Sequence, residues 1–90
     1  MATYHLTIQG EVQGVFYRDS AKKEALRLGI TGWIRNKDNG DVEAMVTGHE
    51  TVLHEFFEWC KQGPPKAVVS DVIIQRKEDQ KFDSFTIKLS

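Results

Sequence analysis

The sequence predicts an α+β domain in which two helices cover one face of a mostly antiparallel sheet. The spacing of apolar residues changes along the chain between the alternation of a strand and the period of a helix. These changes give the order strand, helix, strand, strand, helix, strand and a short terminal strand. The length of 90 residues predicts a single domain over residues 1–90, since a chain of this size builds one small core.

The chain begins with a predicted strand and helix. Residues 3–8 alternate apolar and polar side chains, which is typical of a half-buried strand. From about Asp19 the apolar residues recur at i, i+4 and i+7, which predicts a helix of about three turns. Gly29 follows the last of these residues and is expected to end the helix in a left-handed conformation.

A predicted β-hairpin comes next. Residues 30–35 are rich in β-branched and aromatic side chains, and Val42, Ala44 and Val46 alternate with their neighbours. The Asn39-Gly40 pair between the two segments is a strong signal for a hairpin turn. We therefore predict two paired strands here.

The second half repeats the pattern of helix and strand. A helix is predicted over residues 50–62, with an apolar stripe along one side, and Gly-Pro-Pro at 63–65 ends it. Residues 68–76 read as a strand, residues 76–81 as a solvated turn and residues 85–89 as a final strand. The complete order is that of the split βαβ, or ferredoxin-like, sandwich.

The charge balance limits the classes of partner. Lys and Arg number 12 against 13 Asp and Glu, which gives a formal net charge of −1. This balance argues against a broad electrostatic grip on nucleic acid or on an anionic membrane, although a local basic site is compatible with it. We expect neither nucleic acid nor a membrane as a partner, and we expect a monomer.

The single cysteine and the start of the chain indicate the compartment. Cys60 cannot form a disulfide within the chain, and no charged segment followed by an apolar one marks a signal peptide at the start. The aliphatic runs are far shorter than the roughly 20 residues that span a bilayer. We therefore expect a cytoplasmic protein.

The connection between the first strand and the first helix could hold a phosphate group. Gly10 and Gly14 permit backbone paths that other residues resist, and a tight turn before a helix directs N–H groups into one concavity. Arg18 adds a planar guanidinium that can bind two phosphate oxygens. The alternative is that the glycines only shape a turn and Arg18 is solvated.

Asn36 is the second candidate, at the end of the second predicted strand. Its alternative role is to bond neighbouring backbone groups, as Asn commonly does near turns. In a split βαβ plan the first two strands run parallel, and their carboxyl ends lie on the same side of the sheet. We therefore expect Arg18 and Asn36 to emerge close together.

Several other chemistries do not fit the sequence. The segment after Gly14 lacks the Lys-Ser/Thr of a P-loop. The residue six positions after Cys60 is Lys66, so the Cys-x₅-Arg loop of a cysteine-dependent phosphatase is absent as well. The three histidines have no metal-ligand spacing, and Asp38 and Asp41 suit a turn. We therefore expect no metal ion at these residues.

Two segments resemble the signatures of the acylphosphatase family. Residues 10–18, Gly-Glu-Val-Gln-Gly-Val-Phe-Tyr-Arg, resemble the pattern Gly-x-Val/Ile-Gln-Gly-Val-x-Phe/Tyr-Arg. Residues 32–42, Gly-Trp-Ile-Arg-Asn-Lys-Asp-Asn-Gly-Asp-Val, with Gly48 beyond them, resemble the second signature around its Asn. The similarity covers essentially the whole chain in length and motif order, and it implies a small, free-standing acylphosphatase.

The resemblance implies hydrolysis of the carboxyl–phosphate bond of small acyl phosphates without a metal ion or cofactor. It implies that Arg18 and Asn36 are catalytic, with Arg18 binding the phosphate and Asn36 positioning the attacking water. It also implies that a backbone loop wraps the phosphate oxygens, formed by Gln13, Gly14, Val15, Phe16, Tyr17 and Arg18. Either Phe16 or Tyr17 could line an acyl pocket or pack under the loop. A phosphate-binding module without turnover is the competing hypothesis.

Overall fold

The computed structural model describes residues 1–89, and within them the predicted order of elements is observed. The helices and strands are β1 (Ala2–Glu11), α1 (Tyr17–Leu28), β2 (Thr31–Asn36), β3 (Val42–Gly48), α2 (Glu50–Gln62), β4 (Val68–Lys77) and β5 (Phe85–Ile87). None of these helices is long and apolar enough to cross a membrane.

The strands form one sheet in the order β4-β1-β3-β2-β5, in which β2 and β5 are the parallel pair. Both β1 and β2 pair antiparallel with β3, which lies between them. The two strands therefore run in the same direction and end at the same edge of the sheet, as predicted. This arrangement places the connection after β1 beside the end of β2.

Both helices pack on the sheet and contact each other. The buried residues of α1 include Ala21 and Ala25, whose small side chains let the helix approach the sheet closely. The stripe predicted for the second helix is buried as well, and it consists of Leu53, Phe56, Phe57 and Cys60. Together with the inward-facing residues of the strands, these side chains form a single core cluster.

The first strand extends beyond the predicted residues 3–8. It continues to Glu11 because its last residues pair with β4, with an irregularity between Gln9 and Gly10. Gly10 has a φ of 126°, and a Cβ at this position would lie 2.1 Å from the carbonyl oxygen of Val68. Only glycine fits this close approach of the two backbones, which is why the irregularity occurs here.

The segment predicted as a solvated turn over residues 76–81 is more ordered than expected. Strand β4 continues to Lys77, and the backbone of Gln80 is bound to two buried threonines. The Gln80 N–H donates to the Thr3 hydroxyl over 2.9 Å, and the Thr47 hydroxyl donates to the Gln80 carbonyl over 3.0 Å. These contacts join the segment to the sheet face opposite the helices.

Candidate active site

The loop between β1 and α1 turns sharply before the helix begins. Gly14 has a φ of 76°, and Phe16 has a φ of 65°, a left-handed conformation that bulky residues rarely adopt. Within residues 1–89, no side chain caps the amino end of α1. The first N–H groups of the helix are therefore available to a ligand, and the helix dipole favours an anion there.

Tyr17 anchors the loop to the second helix. Its side chain is buried, and its hydroxyl donates a hydrogen bond of 2.7 Å to the carbonyl oxygen of Cys60. Burial raises the pKa of Tyr17 far above its ordinary value, and burial raises the pKa of the Cys60 thiol to about 12. Both groups are therefore neutral at neutral pH, and Cys60 is the buried, unreactive thiol that its place on the apolar stripe predicts.

Gln13 joins the loop to the hairpin between β2 and β3. Its Nε2 atom donates hydrogen bonds of 2.8 Å to the carbonyl oxygens of both Lys37 and Asp41. The amide carries two N–H groups, so each carbonyl receives one of them. The loop after β1 is thereby fixed to the turn that follows Asn36.

Asn36 and Arg18 line the same cavity, which has a volume of about 240 Å³. Asn36 is the last residue of β2, and its Oδ1 atom is buried without a hydrogen-bond partner in the structure. A buried amide oxygen without a partner is uncommon in folded proteins, because it has lost its hydration without compensation. This oxygen is suited to accept a hydrogen bond from a molecule that enters the cavity.

Most of the site residues that the sequence predicts line the cavity. Its lining consists of Val12, Gly14, Phe16, Tyr17, Arg18, Asp19 and Asn36. Gln13 and Val15 do not line it, since Gln13 reaches toward the hairpin and Val15 packs against the core.

Two lining residues, Val12 and Asp19, were not among the site residues predicted from the sequence. Val12 is buried at the end of the first strand. Asp19 lies in the first turn of α1, directly after Arg18, where acidic residues usually serve the helix dipole. Because that role is common, nothing in the sequence indicated that Asp19 lies in the lining of the cavity.

A second polar cluster lies on the sheet face opposite the helices. His5 Nε2 lies 2.9 Å from Glu43 Oε2, and Arg35 donates to the other carboxylate oxygen. Strand pairing brings these residues together from three strands. Among residues 1–89, no group of three or more His, Cys, Asp or Glu side chains could hold a metal ion.

Comparison with known proteins identifies the family. The sequence matches the acylphosphatase family over residues 4–87. The chain belongs to this family. It is 44% identical over 84 residues to the acylphosphatase of Haloquadratum walsbyi, an alignment that covers 93% of this chain and 90% of that protein.

Solved acylphosphatase structures have the same fold. The structure from Coxiella burnetii superposes with a TM-score of 0.94 at 37% identity, covering 97% of this chain and 92% of that one. The structure from Bacillus subtilis superposes with a TM-score of 0.94 at 32% identity, covering 98% and 99% respectively. The ferredoxin-like plan and the family predicted from the two signatures are confirmed, and these relatives support acylphosphatase function.

Proposed function

We propose that this acylphosphatase family hydrolase cleaves the carboxyl–phosphate bond of acyl phosphates in the cavity shared by Arg18 and Asn36. The unpartnered, buried Oδ1 atom of Asn36 carries this proposal, because Asn36 lines the same cavity as Arg18 and Asp19 in the uncapped first turn of α1. The cavity thus combines donors for a phosphate with an acceptor for a water molecule.

The phosphate is bound by Arg18 and by the backbone of residues 13–18. The guanidinium can hold two phosphate oxygens at once, and fixed N–H groups of the loop and helix face the remaining oxygen. The transition state of phosphoryl transfer spreads negative charge over these oxygens. Donors that are already in place stabilise this charge without rearranging, which lowers the barrier.

The attacking water is positioned by Asn36. The Oδ1 atom accepts a hydrogen bond from the water and so directs a lone pair of the water oxygen toward phosphorus. As the new oxygen–phosphorus bond forms, the bond to the carboxyl oxygen breaks, and the acyl carboxylate leaves with the electron pair. A carboxylate is a good leaving group, so no acid is needed to protonate it.

The proton of the attacking water passes to an oxygen of the phosphate itself. Tyr17 and Cys60 are neutral and buried, and the Tyr17 hydroxyl is engaged with a backbone carbonyl, so neither suits the role of general base. The products are the free carboxylate and inorganic phosphate. This mechanism requires no metal ion or cofactor, and we expect turnover to survive an excess of chelator.

Kinetics of two variants test the assignment with benzoyl phosphate as substrate. Arg18→Lys keeps the charge but loses the two-pronged contact, and we expect activity to fall by about 10³-fold, as when an arginine finger is lost. Asn36→Ala should reduce kcat with less effect on inhibition by inorganic phosphate. Arg27→Lys on the exposed side of α1 and Asn39→Ala in the hairpin turn are the matched controls.

Activity of both variants within about twofold of the parent would exclude Arg18 and Asn36 as the catalytic pair. Loss of activity in the Arg27→Lys control to the same degree would show that the Lys substitution acts through general damage to α1. Tight binding of acyl phosphate without release of inorganic phosphate would instead support a phosphate-binding module.

We further propose that residues 1–90 act as a single domain and as a cytoplasmic monomer. The single core cluster and the family match over residues 4–87 support one domain. Of the large exposed apolar residues, only Val68 and Ile73 share an element, β4, and this scatter along the chain favours a monomer. Sedimentation velocity at several concentrations tests the monomer, and fractionation of the source cell tests the compartment.

A further inference from the structure

The cavity has one apolar side chain that is open to a ligand. Three apolar or aromatic residues line it, and Val12 and Tyr17 are each only 1% exposed. Phe16, in contrast, is 73% exposed. Among the apolar residues that line the cavity, Phe16 is therefore the one accessible to an apolar part of a molecule held at Arg18.

Packing of the protein does not explain an aromatic residue at this position. Phe16 is absent from the core cluster, and the ring pairs found among residues 1–89 do not include it. Its backbone has a φ of 65°, a conformation in which glycine or asparagine is more favourable than a bulky residue. An exposed ring in a strained conformation beside an anion-binding cavity is a candidate for ligand contact.

The structure also separates Phe16 from its neighbour Tyr17. The Tyr17 ring packs under the loop against Trp59, and its hydroxyl is bound to the Cys60 carbonyl. Tyr17 thus holds the loop in place, and neither face of its ring is accessible to a substrate. Of the two aromatic residues that the sequence left open, Phe16 is the one available for an acyl group.

We infer that Phe16 contacts the acyl group of the substrate and that the enzyme favours acyl phosphates with an apolar, planar acyl group. This inference rests on the proposed function, since the phosphate must sit at Arg18 for the acyl group to extend toward Phe16. An aromatic acyl group can stack on the ring or meet its edge, whereas an acetyl group covers little of it. Phe16 is therefore a specificity-determining residue.

The ratio of kcat/KM for benzoyl phosphate to kcat/KM for acetyl phosphate measures this contact. Phe16→Asn removes the ring but keeps a residue that tolerates the left-handed conformation, and we expect the ratio to fall about three- to tenfold. Most of the change should appear in KM for benzoyl phosphate. Phe16→Tyr retains an aromatic face and should preserve the ratio, and Leu26→Asn is a matched control at an exposed apolar position of α1.

The ratio cancels any damage to the loop that affects both substrates equally. Circular dichroism confirms folding of each variant, and Phe16→Gly, which also suits a positive φ, replaces Phe16→Asn if that variant does not fold. An unchanged ratio in the folded ring-free variant would overturn the inference while leaving the proposed function intact. If the parent protein hydrolyses neither benzoyl phosphate nor acetyl phosphate, the proposed function itself is wrong.

Discussion

At the scale of single residues, the proposed site depends on a buried side-chain oxygen that has no hydrogen-bond partner. The buried Oδ1 of Asn36 has no partner in the protein, although it ends a strand beside a polar turn. A buried polar atom without a hydrogen bond costs about 1–3 kcal/mol of stability. The structural role considered for Asn36, bonding the neighbouring backbone, does not use this oxygen, and a role toward a bound water does.

Asp19 is an acidic residue in the lining of a cavity that, in our proposal, binds an anion. Asp19 lines the cavity beside Arg18, and it is also the acidic residue in the first turn of α1, where a negative charge suits the helix dipole. We predict that Asp19→Asn lowers the inhibition constant of inorganic phosphate about two- to threefold, because an exposed charge of this kind contributes less than about 1 kcal/mol.

Product inhibition measured at low and high ionic strength checks this prediction. The gain in phosphate affinity should shrink at high salt, because screening weakens the repulsion that the substitution removes. Lys23→Gln, an exposed charge substitution on the same helix, is the control. Weaker phosphate inhibition in Asp19→Asn would contradict a repulsive role.

At the scale of elements, the loop after β1 and the β2–β3 hairpin behave as one unit. The Gln13 amide contacts both ends of the hairpin turn, at the carbonyls of Lys37 and Asp41, and the Lys37 N–H closes the turn onto the Asp41 carbonyl over 2.8 Å. The loop holds the phosphate in our proposal, and the hairpin holds Asn36. Gln13 therefore sets the separation of phosphate and water and is a positioning residue.

We predict that Gln13→Met lowers kcat for benzoyl phosphate about three- to tenfold, because small misplacement of reacting groups has a large effect on rate. Methionine has a similar shape but donates no hydrogen bond. In the Asn36→Ala background the same substitution should cause little further loss, since both changes remove the positioned water. The double-mutant cycle measures this coupling.

Equal losses in the two backgrounds would show that Gln13 acts independently of Asn36. If Gln13→Met lowers the melting temperature but leaves kcat unchanged, Gln13 has a purely structural role. Gln62→Met at the exposed end of α2 is the matched control, and we expect it to change neither measurement.

At the scale of the whole molecule, the sheet face opposite the helices contains an ion cluster that joins three strands. Glu43 of β3 accepts hydrogen bonds from His5 of β1 and Arg35 of β2. Burial acts to raise the pKa of Glu43, but the contacts with His5 and Arg35 outweigh it and hold that pKa below its ordinary value of 4.5. Removing His5 or Arg35 leaves the buried Glu43 carboxylate with less compensation for its charge.

The cluster predicts how stability depends on pH. The unfolded chain binds a proton at Glu43 more readily than the folded protein does, so the contribution of this carboxylate is complete above about pH 4.5 and is lost as pH falls through the lower, folded pKa. Urea unfolding of the parent and of Glu43→Gln at pH 6 and pH 3 measures the effect. We expect the parent to lose more stability between these values than the variant, and an equal loss in both would contradict the prediction.

The order of elements could be predicted because it depends on local patterns. The apolar stripe of α2 and the glycine at the end of α1 appear in the sequence as they appear in the fold, with Gly29 at a φ of 71°. Strand β1 was predicted too short. Its last residues pair with β4, and neither segment has a sequence pattern that predicts this pairing. The close approach at Gly10 is likewise a property of the pair of strands.

The sequence by itself determined the family, the fold class and the two segments whose residues line the cavity, because signatures and periodicity are properties of neighbouring residues. Only the tertiary structure decided that Phe16 is exposed while Tyr17 is buried, and that the Oδ1 of Asn36 has no partner. It alone brought Glu43 to His5, 38 residues away. Such facts depend on packing and strand register, which bring distant residues together and determine which polar atoms find a partner.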